Sequence, residues 1–247
     1  MPEREIITTS DRPDLGEQSE AALLPVWPEF IFHDQVSSDL MGPVAECFPQ
    51  YDIRILDDGE VVAGSWGVPL RWDGAAQTLP AGYDAALISA VTGHEQAVPV
   101  DTLCVMAVAV RADRQGTGLG EQALIAMRSL TIKAGLERMI SPVRPVLKSR
   151  YPLTPMASYA RWTRADGAHI DPWLRTHLRL GGVILRPAPR SMVVTGTVAE
   201  WEEWTGLAFP ETGRYVVPKA LDLVDIEREE DLGVYAETNI MGTRNPY

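Results

Sequence analysis

Between positions 115 and 120 the chain reads Gln-Gly-Thr-Gly-Leu-Gly, with glycines at three alternate positions. An apolar run, Leu103 to Val110 (LCVMAVAV), comes just before it. After it, Leu119, Ala123, Met127 and Leu130 recur at helical spacing. A buried strand, a glycine loop and an amphipathic helix together suit the binding of a phosphorylated ligand. Glycines allow several backbone N–H groups to converge on an anion, and the helix dipole adds to the attraction. A ligand-free strand-to-helix turn would need fewer glycines. The dinucleotide fingerprint requires its third glycine at position 121, which is Glu121, and no Gly-Lys-Ser/Thr follows as in a nucleoside triphosphatase.

The elements that must hold this loop can be read on either side of it. Tyr51 to Leu56 alternates as a strand should, Asp57-Asp58-Gly59 is a hairpin signal, and Val61 to Leu70 is the returning strand. The segment with Leu40, Met41, Val44 and Phe48 predicts a helix ending before Pro49. Asp84 to Val91 predicts another, stopped near Gly93. Beyond the loop, Met139 to Val143 reads as a strand, and Met156 to Trp162 holds a helical turn. Asp171-Pro172 opens a helix that Gly181-Gly182 closes. Val183 to Leu185 and Ser191 to Thr195 read as short strands around a proline-rich turn. Val198 to Thr205 reads as a helix, and Tyr215 to Val217 and Leu221 to Ile226 as strands. Residues 1–22, polar and acidic, read as a flexible tail. The whole fits one mixed α/β domain, residues 23–190, with residues 191–247 as a C-terminal extension packed on it.

Composition narrows the function. With 247 residues and a formal charge of −12, the chain suits neither a phosphate backbone nor a membrane span, which needs about 20 apolar residues in a row. No secretory leader pattern is present in Met1 to Glu20, so a cytoplasmic protein is expected. Cys47 and Cys104 read as free thiols. His33, His94 and His169 have no metal-ligand spacing, so no metal is expected.

Gln115-x-x-Gly118-x-Gly120 directly after an apolar strand resembles the pyrophosphate loop of the GNAT superfamily of acetyltransferases. Ala112 and Arg114 replace a proline and an aromatic residue that are common on the approach to that loop. The resemblance continues to Asp171–Gly182 (DPWLRTHLRLGG), where Leu180-Gly181-Gly182 overlies a Leu-Gly-Phe and His177 stands where the family carries a tyrosine. Together these motifs cover roughly Leu103 to Leu185. The resemblance implies a twisted central sheet flanked by helices, enlarged here by the C-terminal extension. It implies acetyl-CoA, or another acyl-CoA, as co-substrate, and transfer to a small-molecule amine in a ternary complex. A homodimer is compatible with it.

The same resemblance assigns roles. The backbone of Ala107, Val108, Ala109 and Val110 would pair with the pantetheine arm and polarise the thioester. Gln115, Gly116, Thr117, Gly118, Leu119 and Gly120 would hold the pyrophosphate. His177 would supply the proton for the leaving thiolate, or else lie on an ordinary helix face beside Arg175 and Arg179. No carboxylate lies on the strand before the loop. Asp101 reads as a cap or turn residue, and the general base stays unassigned. The irregular segment 141–159, with Arg144, Lys148 and Arg150, would shape the substrate site, meet the 3′-phosphate of coenzyme A, or serve as a packed connection. A non-catalytic acyl-CoA-binding module is the alternative function; a decarboxylase or a transferase of longer acyl groups would differ mainly in its pocket.

Overall fold

A computed structural model describes residues 4–246. Nine strands form one twisted sheet: β1 (Arg4–Thr8), β2 (Asp52–Asp57), β3 (Glu60–Leu70), β4 (Thr102–Val110), β5 (Arg138–Val143), β6 (Val183–Gly196), β7 (Gly213–Tyr215), β8 (Val224–Glu227) and β9 (Leu232–Arg244). The helices are α1 (Gly16–Leu23), α2 (Gln35–Cys47), α3 (Tyr83–Glu95), α4 (Leu119–Lys133), α5 (Met156–Tyr159), α6 (Pro172–Arg179) and α7 (Val198–Thr205), joined by short 3-10 turns.

The β2–β3 hairpin turns on Asp58 and Gly59, both at positive φ, as a two-residue hairpin requires. α4 and α6 pack on one face of the sheet with Leu103, Val105, Leu124 and Met127, while α2 and α3 cover the other with Val44, Leu87, Cys104 and Met106. Asp171 caps α6 by accepting the N–H groups of Trp173 and Leu174, and Gly181, at φ 83°, ends it. These devices are local, and each stands where the sequence placed it.

β4 and β5 are the one parallel pair among the named strands. They are in register only over Thr102–Cys104 and Arg138–Ile140. Beyond that the two strands diverge, and Ser141 Oγ donates to Val105 O at 2.8 Å across the point of parting. On its other edge β4 pairs with β3, where Trp66 meets Ala107 but Gly67 meets Val105, so Met106 is an extra residue in a bulge. A bulge bends its strand and breaks the ladder locally. On the β5 side, where the strands have parted, β4 has no strand partner from Met106 toward the glycine loop.

Three expectations need correction. Residues 4–23 are not a loose tail: β1 pairs with β2, Ile7 and Leu23 are buried, and Arg54 Nε donates to Ser19 Oγ at 2.8 Å. Residues 1–3 lie outside the described residues. Position 190 is not a boundary between a domain and an extension, because β6 runs through it and β9 is an interior strand paired with β5, β6 and β8. Residues 197–231, between β6 and β9, hold α7, β7 and β8. The two short strands expected around residues 186–190 are one strand, β6, with register shifts at Arg186 and at 189–191 that absorb its prolines.

Candidate acyl-CoA site and adjoining acidic chamber

The glycine loop lies at the open end of the parted strands. Gly116 and Gly118 have φ of 78° and 86°, a conformation that costs other L-residues roughly 1 kcal/mol or more. Residues 115–118 are exposed, and space stands open beside both glycines. The first intrahelical bond of α4 runs from Gln122 N–H to Gly118 O, so the N–H groups of Leu119, Gly120 and Glu121 point out of the helix start without intrahelical partners. A Cβ on Gly120 would come within 3.0 Å of the Trp173 ring, which draws α6 close to the loop. Arg114 pairs with the buried Asp57 and ties the loop to the β2–β3 turn. Arg179 pairs with Glu121 at 2.6 Å beside the same helix start.

A largely apolar groove runs between α6 and the strands β5 and β9, lined among others by Val105, Leu124, Ser141, Leu174, His177 and Arg244. His177 thus reaches the groove, as the sequence motif placed it. Burial, helped by the charge of Arg244, pulls the imidazole pKa down to about 3, which disfavours the imidazolium form.

The basic residues of segment 141–159 are also largely committed elsewhere. Lys148, fully buried, donates to Leu221 O and Tyr151 O, and Arg144 Nε donates to Glu237 Oε2 at 2.9 Å. Neither is free to meet a phosphate. Arg175 donates to the carbonyls of His169 and Ile170. Asp101 Oδ1 accepts from Trp72 N–H and Thr102 Oγ1, a turn role as expected. Trp201 is fully buried in a core cluster with Phe30, Val194, Phe209 and Tyr235.

Across the sheet from the groove lies a group of acids that the sequence did not single out. Asp34 is fully buried before α2, and Glu237 is buried on β9. Asp84 stands in the first turn of α3. Asp84 Oδ2 accepts from Val193 N–H at 3.2 Å, Asp34 bridges to Val194, and Met192 pairs with Glu237, so all three gather around residues 192–194 of β6. Burial, with the charges of Asp34 and Glu237, lifts the Asp84 carboxyl to about 7. A relay holds this wall together. Tyr83 N–H donates to Ser191 Oγ, Ser191 Oγ to Asn239 Oδ1, and Asn239 Nδ2 to Glu237 Oε1, at 2.8, 2.6 and 2.8 Å. No local pattern in the sequence marks it, since its members come from three distant segments, at Tyr83, Ser191 and the pair Glu237 and Asn239.

No protein-family model matches the chain. Over 267 aligned residues it is 30% identical to the arginine N-acetyltransferase avaD of Aspergillus versicolor, with 94% of this chain and 91% of that protein covered. Its fold is similar to the loading GNATL domain of CurA from Lyngbya majuscula, with a TM-score of 0.60 at 16% identity over 99% of this chain and 98% of that one. It is also similar to the GphF GNAT-like decarboxylase in complex with isobutyryl-CoA, with a TM-score of 0.55 at 14% identity over 99% and 100%. Parted strands, a glycine loop at the head of α4 and a full-length relative of this kind agree: the chain belongs to the GNAT superfamily of N-acetyltransferases.

Proposed function

We propose that the chain transfers the acetyl group of acetyl-CoA directly to the amine of a small molecule, within a ternary complex. The observation that carries this reading is the divergence of β4 from β5 beyond Cys104 and Ile140, with the glycine loop at its open end. In this reading the free edge of β4, Ala107 to Val110, pairs with the amides of the pantetheine arm. Gln115 and the N–H groups from Gly116 to Gly120 take the pyrophosphate, where converging backbone dipoles need no cation. The bulge at Met106 supports a backbone N–H turned toward the thioester oxygen, where charge builds up in the transition state.

The amine nitrogen attacks the thioester carbon, the C–S bond breaks, and the proton that nitrogen loses balances the one sulfur gains. His177 lines the groove with its ring edge-on to Trp173, and the proton carrier is left unassigned. Arginine, the acceptor in the name of the A. versicolor relative, is the first amine to try.

Isothermal titration of acetyl-CoA tests the donor site, with the Gly118→Asp/Gly120→Asp double variant beside the wild type. Two carboxylates facing the phosphates, one of them at positive φ, are expected to weaken binding by roughly 100-fold or more. Release of free thiol with an amine panel then tests transfer. Wild-type protein that binds no acyl-CoA would end the acyltransferase reading.

A further inference from the structure

The approach to the glycine loop is held by charge at two points of unequal strength. The β2–β3 hairpin places Asp57 and Glu60 opposite one another in the ladder. Each receives an arginine from the turn that precedes the loop, residues 111–114. Arg111 Nη1 donates to Glu60 Oε2 at 3.2 Å, its Nε donates to Asp113 Oδ1 at 2.7 Å, and Arg114 donates to Asp57 Oδ2. Glu60 and Asp113 are exposed, and ion pairs with exposed carboxylates contribute little. The Asp57 side chain is only 4% exposed, and its Oδ1 atom is buried without a hydrogen-bond partner. Among the described residues Arg114 is the one cation paired with it.

The burial of Asp57 decides what Arg114 can do. Its guanidinium is 29% exposed and belongs to the residue just before Gln115, so a bound phosphate could draw it away. That move would leave Asp57 buried and uncompensated, which costs far more than an exposed ion pair returns. Arg114 therefore stays with Asp57 and acts on the loop through its backbone. Its N–H donates to Arg111 O at 2.9 Å, and its carbonyl accepts from Thr117 Oγ1 at 2.6 Å. The second bond closes a turn over residues 114–117, in which Gly116 takes a φ of 78°.

We propose that the Arg114–Asp57 pair is a positioning device for the pyrophosphate loop, taking the acyl-CoA reading of that loop as given. By fixing Arg114 on the hairpin, the pair sets where the turn over residues 114–117 begins, and so where the N–H groups of Gly116 to Gly120 point. A loop held in its binding conformation gains affinity because less ordering remains to be done when the ligand arrives. The pair acts on the phosphates alone, since the β4 edge from Ala107 to Val110 is held by its own ladder with β3.

Coenzyme A, which permits no turnover, is titrated calorimetrically into the full chain and into an Asp57→Asn/Arg114→Gln double variant. Two amides then replace two charges, and neither charge is left uncompensated. The dissociation constant is expected to rise roughly 10-fold. Misfolded protein would lower the stoichiometry and leave the dissociation constant alone, so a merely structural role reads differently. Arg114→Lys keeps a counter-charge for Asp57 and is expected to bind coenzyme A within about 3-fold of wild type. A second readout compares kcat/KM for acetyl-CoA with that for S-acetylpantetheine, which lacks the phosphates. Their ratio is independent of the folded fraction, and is expected to fall roughly 10-fold in the double variant. If the double variant does not fold, Asp57→Asn alone carries both measurements. Unchanged coenzyme A affinity, an unchanged ratio, or a lysine variant as weak as the double variant would overturn the proposal. Wild type that binds no coenzyme A would instead end the acyl-CoA reading itself.

Discussion

The two faces of the sheet solve opposite electrostatic problems with different materials. On the α4–α6 face, an anion is provided for by backbone: exposed glycines at positive φ and the N–H groups that open α4. On the α2–α3 face, negative charge is built from side chains brought together from positions 34, 84 and 237 and sunk in the core. A backbone site is cheap to keep empty, because water satisfies exposed N–H groups. A buried acid cluster is not, since each ionised carboxylate has given up its hydration. Changes on the first face should therefore alter ligand affinity and leave stability nearly untouched. Changes on the second should alter stability.

The largest expected effect tests that contrast at Glu237. Glu237→Gln keeps the hydrogen-bonding shape but leaves Arg144 buried without a counter-charge, so unfolding in urea should show a loss of about 3 kcal/mol or more. A loss under about 1 kcal/mol would mean that the chamber wall is not held by this pair. A smaller effect is expected from Gly82→Ala. Its Cβ would lie 2.4 Å from Ser191 Cα and Oγ, so α3 must back away from β6, at about 1–3 kcal/mol. That shift also pulls Tyr83 N–H off Ser191 Oγ. Gly116→Ala is the matched change on the other face. It meets nothing within 4 Å, and its cost is the positive φ alone, about 1 kcal/mol. If Gly116→Ala destabilised the fold more than Gly82→Ala, the distinction between the faces would collapse.

The same difference explains what could be read without coordinates. The loop, the hairpin at Asp58-Gly59 and the α6 boundaries at Asp171-Pro172 and Gly181 were legible because glycine, proline and capping residues act within a few positions of themselves. β9 was missed for a physical reason. Its inward-facing positions include Gly233, Tyr235, Glu237 and Asn239, so its buried face is largely polar and the expected apolar alternation is inverted. β1 escaped as well, since only Ile7 of its five residues is buried. His177 could be aligned by motif, but its electrostatic setting could not be read from its neighbours in sequence. The surroundings that keep it neutral come from burial under other elements and from Arg244, 67 residues away in sequence. The chamber depends on contacts such as Val193 to Asp84 and Ser191 to Asn239, with separations of 109 and 48 residues, which no local pattern records.

The smallest expected effect is the most specific to the chamber, because it follows the charge of Asp84 itself. The groups acting on this carboxyl are Asp34 and Glu237, both raising its pKa, and the Val193 N–H, which lowers it; Tyr83 beside it stays protonated because burial pushes its phenol up. With a folded pKa near 7 against an ordinary value of 3.8, the folded state binds more protons than the unfolded state between those limits. Stability must then fall as pH rises through that window. Asp84→Asn carries no such proton. Its melting temperature should decline less than that of wild type between pH 5 and 8, when both are measured in the same buffers at constant ionic strength. Parallel pH profiles for the two proteins would mean that Asp84 is already ionised in the folded protein.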